Sequence, residues 1–292
     1  MSTFFSITID ETSHTMIFHL TKYLAIVICL IAWVSCRETS ATHPTTTKLV
    51  ITGSSTIAPL VSEIAKRFEA QHPDIRIDVQ TGGSSRGIAD IRRGLADIGM
   101  ASRKLKEEER DLYGTVIAHD GIGLIVHRSN PLTSLDHDSI VRIYTGEITN
   151  WKAVNGIDAP ITVVSKSEGR ATLELFLQHF QLSSSQIKPQ VVIGDNEQGI
   201  KTVAGNPHAI AFVSIGTAEY DAAQDVPIKL LSFGTIPASL AEVQAGRFPL
   251  SRPLTLVTGT RPTGNVSRFI DFATSTDIHD LVKHHYFVPL NG

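Results

Sequence analysis

Three times in this chain a β-branched run breaks at a turn of glycine and small hydroxyl residues, then reopens with helical periodicity. The turns are Thr52–Ile57 (T-G-S-S-T-I), Thr81–Gly87 (T-G-G-S-S-R-G) and Lys166–Thr172 (K-S-E-G-R-A-T). Strands that feed helices through short turns build α/β folds, whose ligands sit at the carboxyl ends of the strands. A helix start also exposes unpaired N–H groups and the positive end of the macrodipole, and Ser or Thr there adds hydroxyl donors. One such turn is ordinarily a cap, contributing about 1 kcal/mol. Three in one chain suggest a pocket for a small oxyanion.

The rest of the chain alternates in the same manner. Strands are expected at Leu49–Ile51, Ile75–Val79, Asp97–Ala101, Ile161–Ser165, Val191–Ile193, Ala209–Val213 and Pro253–Thr258. Helices are expected at Ile57–Gln71, Ser85–Gly94, Ser139–Tyr144, Arg170–Phe180, Asn265–Thr274 and Asp277–His284. Lys106–Tyr113 reads as a charged helix ending at Gly114. Thr115–Ala118 and Gly121–His127 read as two strands with Asp120-Gly121 as the turn between them. The pattern implies mostly parallel sheets. A fresh strand–helix series after Asn130-Pro131 suggests a second lobe.

At 292 residues the chain can bury a substantial core, as one large domain or two lobes. Its formal net charge of −3 and lack of a basic cluster argue against nucleic acid as a partner. An anion would therefore be held by local donors rather than by bulk charge.

The N-terminus reads as a processing segment. Tyr23–Val34 is an apolar run of 12 residues preceded by Lys22, too short for a bilayer span and suited to a signal peptide. It ends at Ser35-Cys36 in a lipobox-like W-V-S-C, so residues 1–36 are expected to be a signal peptide, with Met16 as a second candidate start. Acylation of Cys36 would tether the mature protein through the polar residues 37–47 to a membrane in the cell envelope or periplasm. Cys29 lies inside the apolar run, so a mature chain beginning at Cys36 has one cysteine and no intrachain disulfide.

Taken together, G-S-S-T-I-A-P-L from Gly53, G-G-S-S-R-G-I from Gly82 and A-D-I-G-M-A-S-R from Ala96 resemble the phosphate-binding component of bacterial phosphate ABC transporters. A-H-D-G-I at Ala118, I-Y-T-G-E-I-T-N-W at Ile143, A-I-A-F-V-S at Ala209 and F-P-L-S-R-P-L at Phe248 extend the resemblance over nearly the whole mature chain. It implies a two-lobe periplasmic-binding-protein fold of type II, with the ligand cleft between lobes. The lobes are expected at 48–127 plus 228–292 and at 128–227. It further implies capture of inorganic phosphate for an ABC importer by a monomer, without catalysis, cofactor or metal.

By position in that resemblance, Thr56 and the Ile57 N–H would donate to the ligand, with Ser84 at the second turn and Thr172 at the third. Ser55, Ser85, Gly169, Arg170 and Ala171 complete the expected ligand set. Lys166 stands where the family usually carries an arginine, so a point charge replaces a two-pronged fork. Arg170 replaces a small hydroxyl residue. Ser102 stands where the long-chain branch of the family has an aspartate that accepts the proton of hydrogen phosphate and rejects sulfate. Asp120 is the expected substitute for that carboxylate.

Two other readings follow from the residues. Another tetrahedral oxyanion (sulfate, molybdate or tungstate) would suit the same turns. Gly83–Gly87 also fits the G-x-S-x-G pattern of a nucleophile elbow, with Ser85 as nucleophile and Asp271 and His279 in triad order. Among the 12 histidines, His279, His284 and His285 form the one local group, at no spacing typical of metal ligands. Neither glycine-rich turn has the Gly-Lys-Ser/Thr ending of a nucleotide loop, which disfavours ATP.

Overall fold

The computed structural model describes residues 46–290. The expected signal segment, Cys36 and most of the tether lie outside the described residues. The first series is β1 (Thr47–Gly53), α1 (Ala58–Gln71), β2 (Ile75–Thr81), α2 (Ser84–Arg92) and β3 (Ile98–Ala101). The middle runs through β4 (Tyr113–His127), β5 (Ser134–Leu135), α3 (His137–Tyr144), β6 (Thr162–Lys166) and α4 (Ala171–Phe180). It continues with β7 (Val191–Ile193), α5 (Asn196–Gly205), β8 (Ala209–Ser214), α6 (Ile215–Ala223) and β9 (Ile228–Phe233). The chain then adds α7 (Leu240–Gln244), β10 (Ser251–Thr258), α8 (Gly264–Ala273), α9 (His279–His284) and β11 (Val288–Pro289).

Local chemistry explains the regular parts. In α1 the apolar residues Leu60, Val61, Ile64, Ala65 and Phe68 recur at helical spacing and are all buried. Pro59 sits in its first turn, where a missing N–H costs nothing, and the helix stops before Pro73. Asp136, Asp195 and Ser214 each accept a hydrogen bond from a backbone N–H in the first turn of α3, α5 and α6.

Strand order is β2-β1-β3-β10-β4-β8-β6-β7, with β9 and β11 also on β4 and β5 on β9. β2, β1 and β3 run parallel, as do β8, β6 and β7. Between these groups β10 and β4 lie antiparallel to their neighbours, so the sheet is mixed rather than mostly parallel. Two expectations in this region fail together. Lys106–Tyr113 holds only a 3₁₀ turn at Glu107–Glu109, where the Glu109 carboxylate accepts the Lys106 N–H at 2.8 Å and grips the Arg103 guanidinium. The expected turn at Asp120-Gly121 is the middle of a 15-residue strand. There Arg252 stands directly opposite Asp120, and burial of that pair overrides the turn preference of Asp-Gly. Gly121 serves packing instead, since a Cβ there would lie 2.7 Å from Ile215 Cδ1.

β4 joins two cores. Ile117 and Ala118 belong to one with Ile51, Leu60, Phe68, Met100, Leu254 and Phe269. Ile122, Leu124 and Val126 belong to the other with Tyr144, Trp151, Phe176, Phe212 and Leu231. Ile228 packs with Ile125 and Val213 beside this second core, and β9 pairs with Leu124–His127. Further along the chain, β10 places Leu254 and Leu256 in the first core.

Phe176 stacks on Phe212 at 4.1 Å between ring centroids and 11° between planes, and its neighbour Tyr144 is fully buried. Phe176→Ala is expected to cost about 3–5 kcal/mol in urea unfolding, since the rigid surround cannot collapse onto the void. A loss below about 1 kcal/mol would show that this ring cluster is not the second core's centre.

Candidate functional site

The expected turns converge. Gly82 and Gly83 each donate an N–H to the Gly53 carbonyl at 2.9 Å, which joins the first two turns. The Ser54 N–H reaches the Met100 carbonyl at 2.9 Å, and the Thr56 N–H donates to Ser54 Oγ at 3.3 Å. Ser84 opens α2, and its Oγ accepts the Ser102 N–H at 3.2 Å just beyond β3. From the other side Lys166 ends β6, Arg170 sits at the N-cap of α4, and Thr172 lies in that helix's first turn. Gly83 is where the two sides touch: its φ is +99°, and a Cβ would stand 2.7 Å from the Gly169 carbonyl oxygen, so only glycine fits.

These residues enclose a cavity of about 10 Å³, roughly the room of one water molecule and far below that of a drug-sized ligand. Ser55, Thr56, Ser84, Ser102, Lys166, Arg170, Ala171 and Thr172 all line it, together with Ser54, Gly83, Gly194 and Asn196. Ile57, Ser85, Gly169 and Asp120 do not. Ile57 is fully buried beneath the start of α1, and Gly169 meets the second turn, its carbonyl accepting the Ser85 N–H at 3.2 Å.

Asp120 is engaged elsewhere. Its Oδ2 accepts from Arg252 Nε at 3.1 Å and Nη2 at 2.8 Å, and its Oδ1 accepts the Gly216 N–H at 3.2 Å. Both partners are buried, Asp120 at 0% and Arg252 at 2% exposure. Arg252 then reaches the cavity's hydroxyls, donating from Nη1 to Thr172 Oγ1 at 2.9 Å and to Ser102 Oγ at 3.4 Å. No carboxylate lines the cavity among the described residues.

Asn196 was not foreseen. Its Nδ2 donates to Thr56 Oγ1 at 3.2 Å, and its Oδ1 accepts the Ser214 N–H at 3.3 Å. The run V-V-I-G-D-N before α5 is a fourth strand–turn–helix start, but it lacks the Ser and Thr that flagged the others.

Lys166 is 5% exposed, and among the described residues no hydrogen bond or ion pair meets its Nζ. Burial, with the Arg252 and Arg170 charges nearby, pushes its pKa down to about 7 against the pull of Asp195. Arg170 is tied to its own turn, Nε to Ser167 Oγ at 3.4 Å.

Beside the cavity the two sides are joined through Glu174. It accepts from Ser85 Oγ at 2.8 Å and Arg103 Nε at 3.0 Å, and pairs with Lys106 Nζ at 3.0 Å. Burial raises the Glu174 pKa, yet the Lys106, Ser85 and Arg103 contacts outweigh it and hold the carboxyl below its ordinary value. The Ser85 hydroxyl is thus spent on Glu174. Asp271 accepts from Ser267, and no hydrogen bond joins Ser85, Asp271 and His279 among the described residues, so no triad is assembled.

Residues 38–277 match the family model described as a PBP superfamily domain. The chain belongs to the PBP superfamily. It is 26% identical over 247 residues to the phosphate-binding protein PstS of Bacillus subtilis, covering 83% of this chain and 80% of that one. Among solved structures it resembles a Clostridium perfringens substrate-binding protein assigned to a phosphate ABC transporter, with bound phosphate. That match has a TM-score of 0.77 and 32% identity, covering 84% of this chain and all of the other. An ABC-type phosphate transport receptor from Vibrio cholerae matches at a TM-score of 0.70 and 28% identity, with 84% and 100% covered. This PBP member has the two-lobe α/β fold of those proteins. No helix of the described residues is long and apolar enough to cross a membrane, and no cluster of His, Cys, Asp and Glu that could hold a metal occurs among them.

A buried cation without a counter-ion costs stability. Lys166→Met is expected to stabilise the anion-free protein by ~2 kcal/mol. The folded pKa of about 7 lies below that of the unfolded chain, so between pH 7 and roughly pH 10 the unfolded state binds more protons. The deficit of wild type against Lys166→Met should therefore be full below pH 7 and shrink as pH rises. Thermal melts of anion-stripped protein check this; a variant less stable at pH 6 would mean that Lys166 holds the fold together.

Proposed function

We propose that this chain captures inorganic phosphate outside the cytoplasmic membrane and delivers it to an ABC importer. The observation that carries the reading is the convergence of hydroxyls from three turns on a small cavity whose buried Lys166 lacks a counter-ion. Thr56, Ser84, Ser102 and Thr172 replace the anion's hydration, the starts of α1, α2 and α4 add their dipoles, and Lys166 and Arg170 balance its charge. Ser55 and the Ala171 backbone complete the wall. Capture without catalysis is the role, and the partners are phosphate and a permease. The chain acts as a monomer, tethered to the membrane by acylated Cys36 after loss of the signal segment.

The lobes are 48–121 plus 251–290 and 122–250, divided where β4 changes core and where β10 returns. Glu174 acts as the latch: ligand favours the closed form in which Ser85, Arg103 and Lys106 reach it, and closure offers the permease a new surface.

Isothermal titration of phosphate into anion-stripped protein should give one tight site. Thr56→Val and Thr172→Val should each weaken it about 10- to 100-fold, the value of one hydrogen bond to a charged group, with unfolding unchanged. Unaltered affinity in both would remove the site assignment. Glu174→Gln, which touches no ligand, should weaken binding about 3- to 10-fold by depopulating the closed form. Wild-type affinity in that variant would leave Glu174 without a role in closure.

A further inference from the structure

Among the residues that line the cavity, only Ser55, Arg170 and Gly194 are partly exposed, and the others are buried. These three therefore mark its mouth. Ser55 is short and Gly194 has no side chain, so Arg170 is the one long side chain there. A small hydroxyl residue at that position would leave the mouth open.

The Arg170 side chain reaches across the mouth. Its backbone is the N-cap of α4, and the side chain makes no cap hydrogen bond there. A Cβ built on Gly83, in the second turn, would lie 3.1 Å from Arg170 Cδ, so the stem rests on that glycine. A Cβ built on Gly194, before α5, would lie 3.6 Å from Nη2, so the guanidinium ends against that turn. Nε donates to Ser167 Oγ at 3.4 Å, and among the described residues Nη1 and Nη2 have no hydrogen-bond partner and no carboxylate pairs with them. One long hydrogen bond thus holds a side chain that bridges two turns, and it can swing aside without disturbing the wall. That wall is fixed independently, Thr56 by Asn196 and Thr172 by Arg252.

We propose that Arg170 is the lid of the cavity and the residue that restricts it to an unsubstituted oxyanion. With room of about one water molecule, the cavity has no space for a group attached to a ligand oxygen. Such a group can leave only by the mouth, where the Arg170 side chain lies. A phosphomonoester has to displace that side chain from Gly83 and Gly194, whereas free phosphate fits beneath it. One extra methylene in a fitted pocket is worth about 10- to 200-fold in affinity, and a methyl ester meets the same penalty here. This inference rests on the phosphate reading and names the residue that limits its substrate class.

The test is isothermal titration at pH 8, where phosphate and methyl phosphate are both close to dianionic and differ in shape rather than charge. Anion-stripped wild type should bind methyl phosphate about 10- to 200-fold more weakly than phosphate. Arg170→Ala, checked for folding by its melting temperature, opens the mouth and should narrow that gap by about 5-fold or more. Arg170→Met keeps most of the reach without the charge, so it should weaken both ligands and leave the gap as wide as in wild type. The lid is overturned if wild type binds the two ligands alike or if Arg170→Ala keeps the wild-type gap. It is also overturned if Arg170→Met narrows the gap as Arg170→Ala does, since charge would then explain the selectivity. Failure of phosphate to bind any of these proteins would overturn the phosphate reading and the lid with it, whereas phosphate binding with an unchanged gap overturns the lid alone.

Discussion

The pair formed by Asp120 and Arg252 is the contact on which the molecule turns. It sits on adjacent antiparallel strands at the point where β4 leaves one core and enters the other. Both side chains are buried, so each needs the other: loss of one partner leaves an uncompensated charge, which costs about 3–5 kcal/mol. The pair does more than pin two strands. Asp120 also accepts from the first turn of α6, and Arg252 extends past its partner to hydroxyls from both sides of the cavity. One buried guanidinium thus ties the central strands to the ligand wall.

That arrangement sets the electrostatics of the site. A cation is held next to the cavity but is neutralised from behind, which leaves Lys166 and Arg170 to face an anion. Lys166 is poised by the same geometry: burial and the Arg252 charge weaken its hold on a proton, and an anion would restore it. Glu174 lies on the helix that carries Thr172 yet faces Ser85, Arg103 and Lys106, so this contact between the two sides is made outside the cavity.

Much of this was legible in the sequence where local chemistry decides. The helices at 58–71 and 171–180, and the strands at 75–81 and 209–214, follow from period and breaker residues, to within a residue or two at most ends. Eight of the expected ligand residues line the cavity, all of them in or just beyond the strand-to-helix turns that the sequence marks. Elsewhere local preference misleads. Asp-Gly at 120–121 is a turn former in isolation, and the charged run at 106–113 looks like a solvated helix. In each case a buried arginine claims the carboxylate, Arg252 from 132 residues along the chain and Arg103 from 6. Asn196 escaped because nothing in V-V-I-G-D-N marks an amide as the donor behind Thr56.

The sequence by itself determined the α/β class, the family resemblance and the turns that supply oxyanion donors, because these depend on contacts between neighbours in the chain. Only the tertiary structure decided that Asp120 is held by Arg252 away from the cavity wall and which donors stand behind the cavity's hydroxyls. Hydrogen-bond polarity is set by partners 80 to 150 residues away, such as Arg252 behind Thr172 and Ser102, and no local spacing records that pairing.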